Sequence, residues 1–476
     1  MERSVEPIKE QFYLRRIAEL EKEVAELRLQ NAELRQQVAK LAEQVARLSK
    51  NSSNSSKPPS SDIVKPPKGD SGGGPRRQGG QPGHKGVARP LFRPDQIDRT
   101  EELHPAACRC CREGALEPTG QVKIQQVAEL RENPLEITEY RLHGCRCSAC
   151  GKIVWAQTPP GVVEGRLFGP RLEALIAYMK GSLHASYTGL AVFCREVLGV
   201  SVARSHVCNT IARVNDALAR PYEELARHVP AEPVLNIDES GWKNNGLRYW
   251  IWVFCTSAIS FFWIAKTRGS KVLEEVLGKT HGGTIVSDFF SAYVKYASAF
   301  QQFCLAHLIR DVKFLTTLPD DSDKQFGELL LIEFKRLFHF WRLRRKIPRE
   351  QFDRLMFRIK DRVLQLAQAR AGDERSKSRT LAKRLVKHGD AIFRFLFDPA
   401  VPPTNNAAER TVRTAVIDRR ITQGSRSLMG RQWNARIWTV LDTCRKQSRS
   451  TWQFLQDALS AHYLQTPRPS LLPQFT

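Results

Sequence analysis

The chain has 476 residues, enough for roughly three domains, and sets 74 Lys and Arg against 50 Asp and Glu for a formal charge of +24. That excess points to a polyanionic partner, nucleic acid before a membrane surface; a basic protein that merely resides on nucleic acid, in the ribosomal manner, is usually much shorter. Charge begins at Glu2 with no apolar leader segment, and eleven cysteines, six of them between 108 and 150, suit a metal site in a reducing compartment better than a disulfide framework.

Residues 1–50 carry a heptad. Its a positions are Ile17, Val24, Asn31, Val38 and Val45, and its d positions are Leu20, Leu27, Leu34, Leu41 and Leu48. β-Branched residues at a with Leu at d favour a parallel two-stranded coiled coil, Asn31 fixes the register, and Glu23 at g can pair with Arg28 at e. The expectation is a homodimer or higher oligomer; an amphipathic helix packed on its own chain would look similar. Residues 51–100 are rich in Pro, Gly and Ser and cannot bury enough apolar surface to fold. They read either as a plain linker or as a basic strand whose Arg76, Arg77 and Lys85 follow a phosphate backbone.

Residues 101–160 form the next unit. Cys108/Cys111 and Cys147/Cys150 are two Cys-x-x-Cys pairs around strand-like stretches from Val122 to Glu129 and Leu135 to Leu142. Four thiolates complete one structural Zn²⁺ site, with Cys110 and Cys145 as credible substitutes. Residues 165–230 look helical. Leu172, Leu175, Ile176 and Met179 share a face, a second helix runs from Tyr187 to a stop at Gly199, and a third starts with Ser201 as N-cap. This pattern fits a DNA-binding helix-turn-helix, and equally any small helical bundle.

Residues 231–306 bring a strand from Val234 to Asp238, then two aromatic strands within the uncharged run Tyr249 to Ala265. That run is broken by Cys-Thr-Ser-Ala and suits a hairpin better than a membrane helix of about 20 residues. A helix from Ser270, a strand from Thr284 to Ser287 and a short strand near Phe303 follow, and this order predicts an RNase-H-like α/β domain. Residues 307–400 read as a helical insertion whose stretch Lys335 to Arg349 holds seven Lys or Arg and no acid. Residues 401–465 return to the α/β domain, and 466–476 are a tail.

Asp238 and Asp288 each end an apolar run, and Glu409 follows a Pro-Pro-Thr-Asn-Asn turn to open an Arg-rich helix. Carboxylates at strand ends and a helix start can converge to hold two Mg²⁺ ions about 3.5–4 Å apart, the arrangement for in-line phosphoryl transfer. Beside Glu409, Arg410, Arg413, Arg419 and Arg420 suit phosphate contact, in a stretch (401–450) with ten basic and three acidic residues. The fold class expected is therefore multidomain α+β: coiled coil, zinc-binding domain, helix-turn-helix-like module, and RNase-H-like catalytic domain with a helical insertion.

At this point the chain resembles the DDE transposases of the insertion sequence 66 family. The similarity spans nearly the whole chain: the coiled coil, Asn54 to Asp62, Gly79 to Gly86, the cysteine pairs, Asp-Glu-Ser at 238–240, Ser-Asp-Phe-Phe-Ser-Ala-Tyr at 287–293, Cys-Leu-Ala-His at 304–307 and Asn-Asn-Ala-Ala-Glu-Arg at 405–410. The resemblance implies that Asp238, Asp288 and Glu409 are a metal-binding triad using two Mg²⁺ (or Mn²⁺) ions. It also implies cleavage and joining of double-stranded element ends and target, with two small accessory proteins, in a cytoplasmic, nucleoid-associated setting without a membrane partner. Cys304 and His307 match a Cys-x-x-His signature of related groups. The chain departs from the pattern in Asp-Phe-Phe where Asp-Gly-Tyr is usual and in the extra Cys110. The rival readings are a dimeric zinc-dependent DNA-binding regulator with an inert nuclease-like domain, and a structure-specific nuclease without strand transfer.

Overall fold

The computed structural model describes residues 6–51, 54, 90–106, 110, 116–117, 119–163, 165–296, 299–374 and 376–473. Arg76, Arg77, Lys85, Cys108 and Cys111 lie outside the described residues. Helix α1 (Glu6–Leu48) runs for 43 residues, about 65 Å at 1.5 Å per residue. Ile17, Leu20, Val24, Leu27, Leu34, Val38, Leu41 and Val45 are all exposed along it. Among the described residues its end meets the rest of the chain: Ala46 joins an apolar cluster of the helical insertion, and Glu43 pairs with Lys377 at 3.4 Å.

Between residues 119 and 163 the described backbone forms one small hairpin, β1 (Gly144–Arg146) with β2 (Ile153–Trp155), closed by a turn in which Cys147 N–H donates to Lys152 O at 2.8 Å. The stretches Val122 to Glu129 and Leu135 to Leu142 are not strands. Their alternation is real, but among the described residues no backbone pairs with them, and Val122, Ile124, Val127 and Ile137 stay exposed; alternation alone does not make a ladder.

Helices α2 (Pro170–Ser182), α3 (Tyr187–Glu196), α4 (Arg204–Ala217) and α5 (Ala219–His228) follow. Ser201 is not the cap of the third helix. That helix starts after Ala203, without a side-chain cap. Buried Glu173 takes Arg213 Nε at 2.8 Å and the Tyr463 hydroxyl, joining α2 to α4 and to α15 (Thr451–Leu464). Tyr222 O–H donates to Phe262 O at 2.7 Å, so this helical unit shares one core with the sheet. Helix α4 is enclosed enough that Arg204, Ser205, Asn209 and Asp216 make up its exposed positions, a small surface for groove reading.

The sheet contains β3 (Val234–Asn244), β4 (Leu247–Cys255), β5 (Ser260–Ala265), β6 (Thr284–Ser287) and β7 (Phe300–Phe303). Their order is β5-β4-β3-β6-β7, with β3–β4 and β4–β5 antiparallel and β3–β6 and β6–β7 parallel. Asn245 and Gly246, with φ of +51° and +77°, make the two-residue turn between β3 and β4, as a type I′ hairpin requires. Strand β3 runs well past Asp238. Its pairing with β6 stops at Asn236↔Val286, whereas its pairing with β4 continues to Asn244; beyond Asp238 the strand has one neighbour and no longer needs an apolar run. Helices α6 (Lys271–Leu277) and α7 (Ser291–Lys295) connect β5 to β6 and β6 to β7.

The insertion is α8 (Leu305–Leu315), α9 (Asp321–Leu343), α10 (Arg349–Ala371), α11 (Arg379–Lys387) and α12 (Gly389–Ile392). Its apolar core reaches Val286 and Phe303 of the sheet. Burial would raise the Asp323 carboxyl, but the Ser376 and Ser378 hydroxyls and Arg370 hold it well below the carboxylate range, tying α9 to the segment after α10. Helices α13 (Asn406–Thr422) and α14 (Leu428–Lys446) then return to the sheet. The edge strand β5 is closed by α14: Ser260 N–H donates to Thr443 Oγ1 and Phe262 N–H to Thr439 Oγ1, both at 3.0 Å.

Candidate active site

Three elements bring the predicted carboxylates toward one place. Asp238 lies in β3, Asp288 follows the last residue of β6, and Glu409 sits in the first turn of α13. Continuing the β3–β6 register two residues past Asn236↔Val286 sets Asp238 level with Asp288. Neighbouring strands are about 4.8 Å apart, and carboxyl ends of parallel strands are where open α/β sheets place their ligands. Burial, and then the charges of Glu239, Asp288 and Glu409, push the Asp238 carboxyl well above its ordinary value. All three predicted carboxylates are half-buried.

Helix α13 is fastened to β3 along its length. Asn405, buried just before the helix, donates through Nδ2 to Ile237 O at 2.7 Å and accepts from Asn236 Nδ2 at 3.0 Å. In its last turn, Arg419 Nη1 donates to Ser240 Oγ at 3.0 Å and to Gly241 O. Past the far end, Trp242 Nε1 donates to Ser425 Oγ at 3.0 Å and Ser425 N–H to Lys243 O at 2.9 Å. Gly424, at φ +120°, allows this approach, since a Cβ there would lie 2.3 Å from Lys243 O. The three attachments set where Glu409 stands relative to Asp238.

Asp288 is held by its own turn, its Oδ1 accepting from Phe290 N–H at 2.9 Å. The chain leaving β7 stays close: Cys304 N–H donates to Ser287 O at 2.8 Å, and Leu305 N–H to Pro403 O at 3.0 Å. Helix α8 therefore begins beside both Asp288 and the Asn405 turn. From it His307 Nδ1 reaches 3.5 Å from Glu409 Oε1, and Arg310 4.0 Å from Oε2.

Several site residues carried no separate sequence signal. Glu239, adjacent to Asp238 and so on the opposite face of β3, is buried. It accepts from Arg268 Nε at 2.9 Å and Nη2 at 2.7 Å, and from the Tyr293 hydroxyl. Burial, then Asp288, raise its carboxyl, while Tyr293 and Arg268 pull it down. Arg268 also lies over the rings of Trp250 and Phe290. This network braces the loop that carries Asp288. The tandem Asp-Glu was the available clue, because alternation in a strand sends the second acid to the other layer.

Among the predicted DNA contacts, Arg410, Arg413 and Arg420 are exposed on α13, whereas Arg419 is drawn inward to β3. In the β1–β2 turn, the backbone amides of Cys150 and Ala149 and the Cys150 thiol draw the Cys147 thiol below its ordinary value. Cys147 and Cys150 therefore stand together, with Cys145 exposed on β1. Among the described residues no helix is long and apolar enough to cross a membrane.

Residues 165–432, more than half of the chain and including all three carboxylates, match the family model described as Transposase IS66 family, and the chain belongs to that family. Residues 6–90 match a second model, a family of unknown function (DUF6444). The chain is 23% identical over 409 residues to the Sinorhizobium fredii "Uncharacterized protein y4hP", covering 77% of this chain and 73% of that one. It is 28% identical over 123 residues to "Uncharacterized protein y4jO" of the same organism, covering 26% of this chain and 38% of that one.

Proposed function

We propose that the protein cuts and joins the ends of a bacterial insertion sequence by metal-dependent phosphoryl transfer, with Asp238, Asp288 and Glu409 as the metal-binding triad. The observation that carries this reading is the β3–β6 register, which sets Asp238 level with Asp288, together with the bonding to β3 of the helix that carries Glu409. Carboxylates crowded this way repel one another until a cation neutralises them, and an all-oxygen donor set fits Mg²⁺ or Mn²⁺. Bound there, a pair of such ions supplies an activated water and a stabilised leaving oxygen. The protein's own part is positioning: Asn405 and Arg419 hold the Glu409 helix on β3, and Glu239, Arg268 and Tyr293 hold the Asp288 loop. Arg410, Arg413 and Arg420 stand outward on α13, where they would meet the phosphate backbone of double-stranded element ends and target.

The strand order, with the strand farthest from the parallel pair reached through two hairpins, supports an RNase-H-like catalytic domain in which 307–400 is an insertion. The exposed heptad seam of α1 supports a coiled-coil homodimer. Cys147 and Cys150 in one tight turn support half of a structural Zn²⁺ site; the other half falls to Cys108 and Cys111. The test is a strand-transfer assay with the element's own ends and Mg²⁺. Asp238→Asn, Asp288→Asn and Glu409→Gln should each lower cleavage and joining at least about a hundredfold while band-shift affinity for the ends stays near wild type. Undiminished joining by Asp238→Asn would refute the triad and favour a DNA-binding regulator. Cleavage without joining in the wild type would favour a nuclease.

A further inference from the structure

Beside the all-oxygen triad lies a second donor set that shares Glu409 with it. Cys304 Sγ, an imidazole nitrogen of His307 and a carboxylate oxygen of Glu409 lie within 4.8 Å of one another. His307 Nδ1 and Glu409 Oε1 are both buried, stand 3.5 Å apart, and neither makes a hydrogen bond. Burying two facing polar atoms in this way is unfavourable unless something satisfies both. Two ligands each about 2.1 Å from one tetrahedral ion stand about 3.4 Å apart, close to the spacing present here.

The sulfur lies at the same place. Cys304 is buried at the N-cap of α8, and its Sγ accepts the Asn405 backbone N–H at 3.2 Å. The backbone amides of His307 and Ala306 are also directed at it, although burial, the larger effect, pushes the thiol above its ordinary value. The Cys-x-x-His spacing keeps both donors at the start of one helix. A thiol, an imidazole and a single carboxylate select Zn²⁺ or Co²⁺ and are poor ligands for Mg²⁺.

We propose that Cys304, His307 and Glu409 form a site for a thiophilic divalent cation of the Zn²⁺ class, with three protein ligands and an open fourth position. Binding displaces the thiol proton to solvent. Because Glu409 belongs to both donor sets, an ion held here engages Oε1 and withdraws it from Asp238 and Asp288, so the two metals compete. That competition rests on the reading of Glu409 as a Mg²⁺ ligand; the binding does not.

Metal-stripped full-length protein titrated with Co²⁺ tests the site through sulfur-to-cobalt charge-transfer absorption. Cys304→Ser and His307→Ala should each lose one equivalent of bound cobalt relative to wild type, leaving any signal from the cysteines at 108–150 unchanged. Cys304 is buried, so if its variant fails to fold, His307→Ala decides. If the folded variants keep the wild-type stoichiometry and spectrum, the site does not exist. A second arm adds Zn²⁺ to the Mg²⁺-dependent joining reaction, where inhibition is expected. Loss of the cobalt signal in the variants without inhibition of the wild type would uphold the site and overturn the assignment of Glu409 to Mg²⁺.

Discussion

Helices α1 and α13 are held in opposite ways. Helix α13 has 17 residues and is bonded to β3 before its first turn, at Arg419 and just past its end. Helix α1 has 43 residues, exposes its whole Val/Leu seam and, among the described residues, meets the rest of the chain near Glu43 and Ala46. The first is placed by its own chain. The second presents an apolar stripe that a second copy would cover, since tertiary packing, more than propensity, stabilises a helix.

The contrast can be broken first at α1. Leu27→Lys combined with Leu34→Lys should convert the full-length protein from dimer to monomer by light scattering at micromolar concentration, without moving the unfolding transition of the sheet domain. Asn31→Val should do the reverse, raising the stability of the assembly while loosening its oligomer choice. A monomeric wild type would remove α1 from the comparison.

At α13 the expected effects are smaller and local. Asn405→Ala removes two buried side-chain hydrogen bonds and should cost about 1–3 kcal/mol in chemical denaturation. Joining should fall more than end binding, because the change frees the helix that carries Glu409. The arginines sharpen the point further. Arg410→Ala, Arg413→Ala and Arg420→Ala should each weaken end binding and lower the salt dependence of affinity by about one unit of slope. Arg419→Ala should leave that slope unchanged and lower thermal stability.

The smallest effect concerns the charge cluster. The Asp238 carboxyl is raised by burial and then by Glu239, Asp288 and Glu409, so folding favours its protonated form. That contribution is complete below the ordinary Asp value and is lost as pH climbs through the raised one. At neutral pH without divalent ions, Asp238→Asn should therefore raise the melting temperature by about 2 °C or more. Added Mg²⁺ should stabilise the wild type more than the variant, and an unchanged melting temperature in both experiments would show the carboxylates to be too far apart to interact.

Much of the sheet could be read from the chain because its signals are local. The uncharged aromatic runs of β4 and β5 and the apolar run of β6 each need only a few neighbouring residues. The three carboxylates stood out for the same reason. The length of β3 was hidden because it depends on where β6 stops pairing, which is set across the sheet. Arg419 looked like its neighbours in composition, and only the position of Ser240 and Gly241 distinguishes it. The stretches from Val122 to Glu129 and from Leu135 to Leu142 misled in the other direction, with a strand's alternation and no partner strand.

The sheet's two outer margins bear on how copies of this protein can meet. On β5 the threonines of α14 take the outward N–H groups of Ser260 and Phe262. On β7 the Gln302 side chain donates to Ile392 O at 2.8 Å and accepts from Phe395 N–H at 2.9 Å, binding that strand to the insertion. The β5 margin therefore offers a foreign backbone little ladder to extend. At β5, recruitment of a partner by β-augmentation is disfavoured, and so is edge-to-edge aggregation.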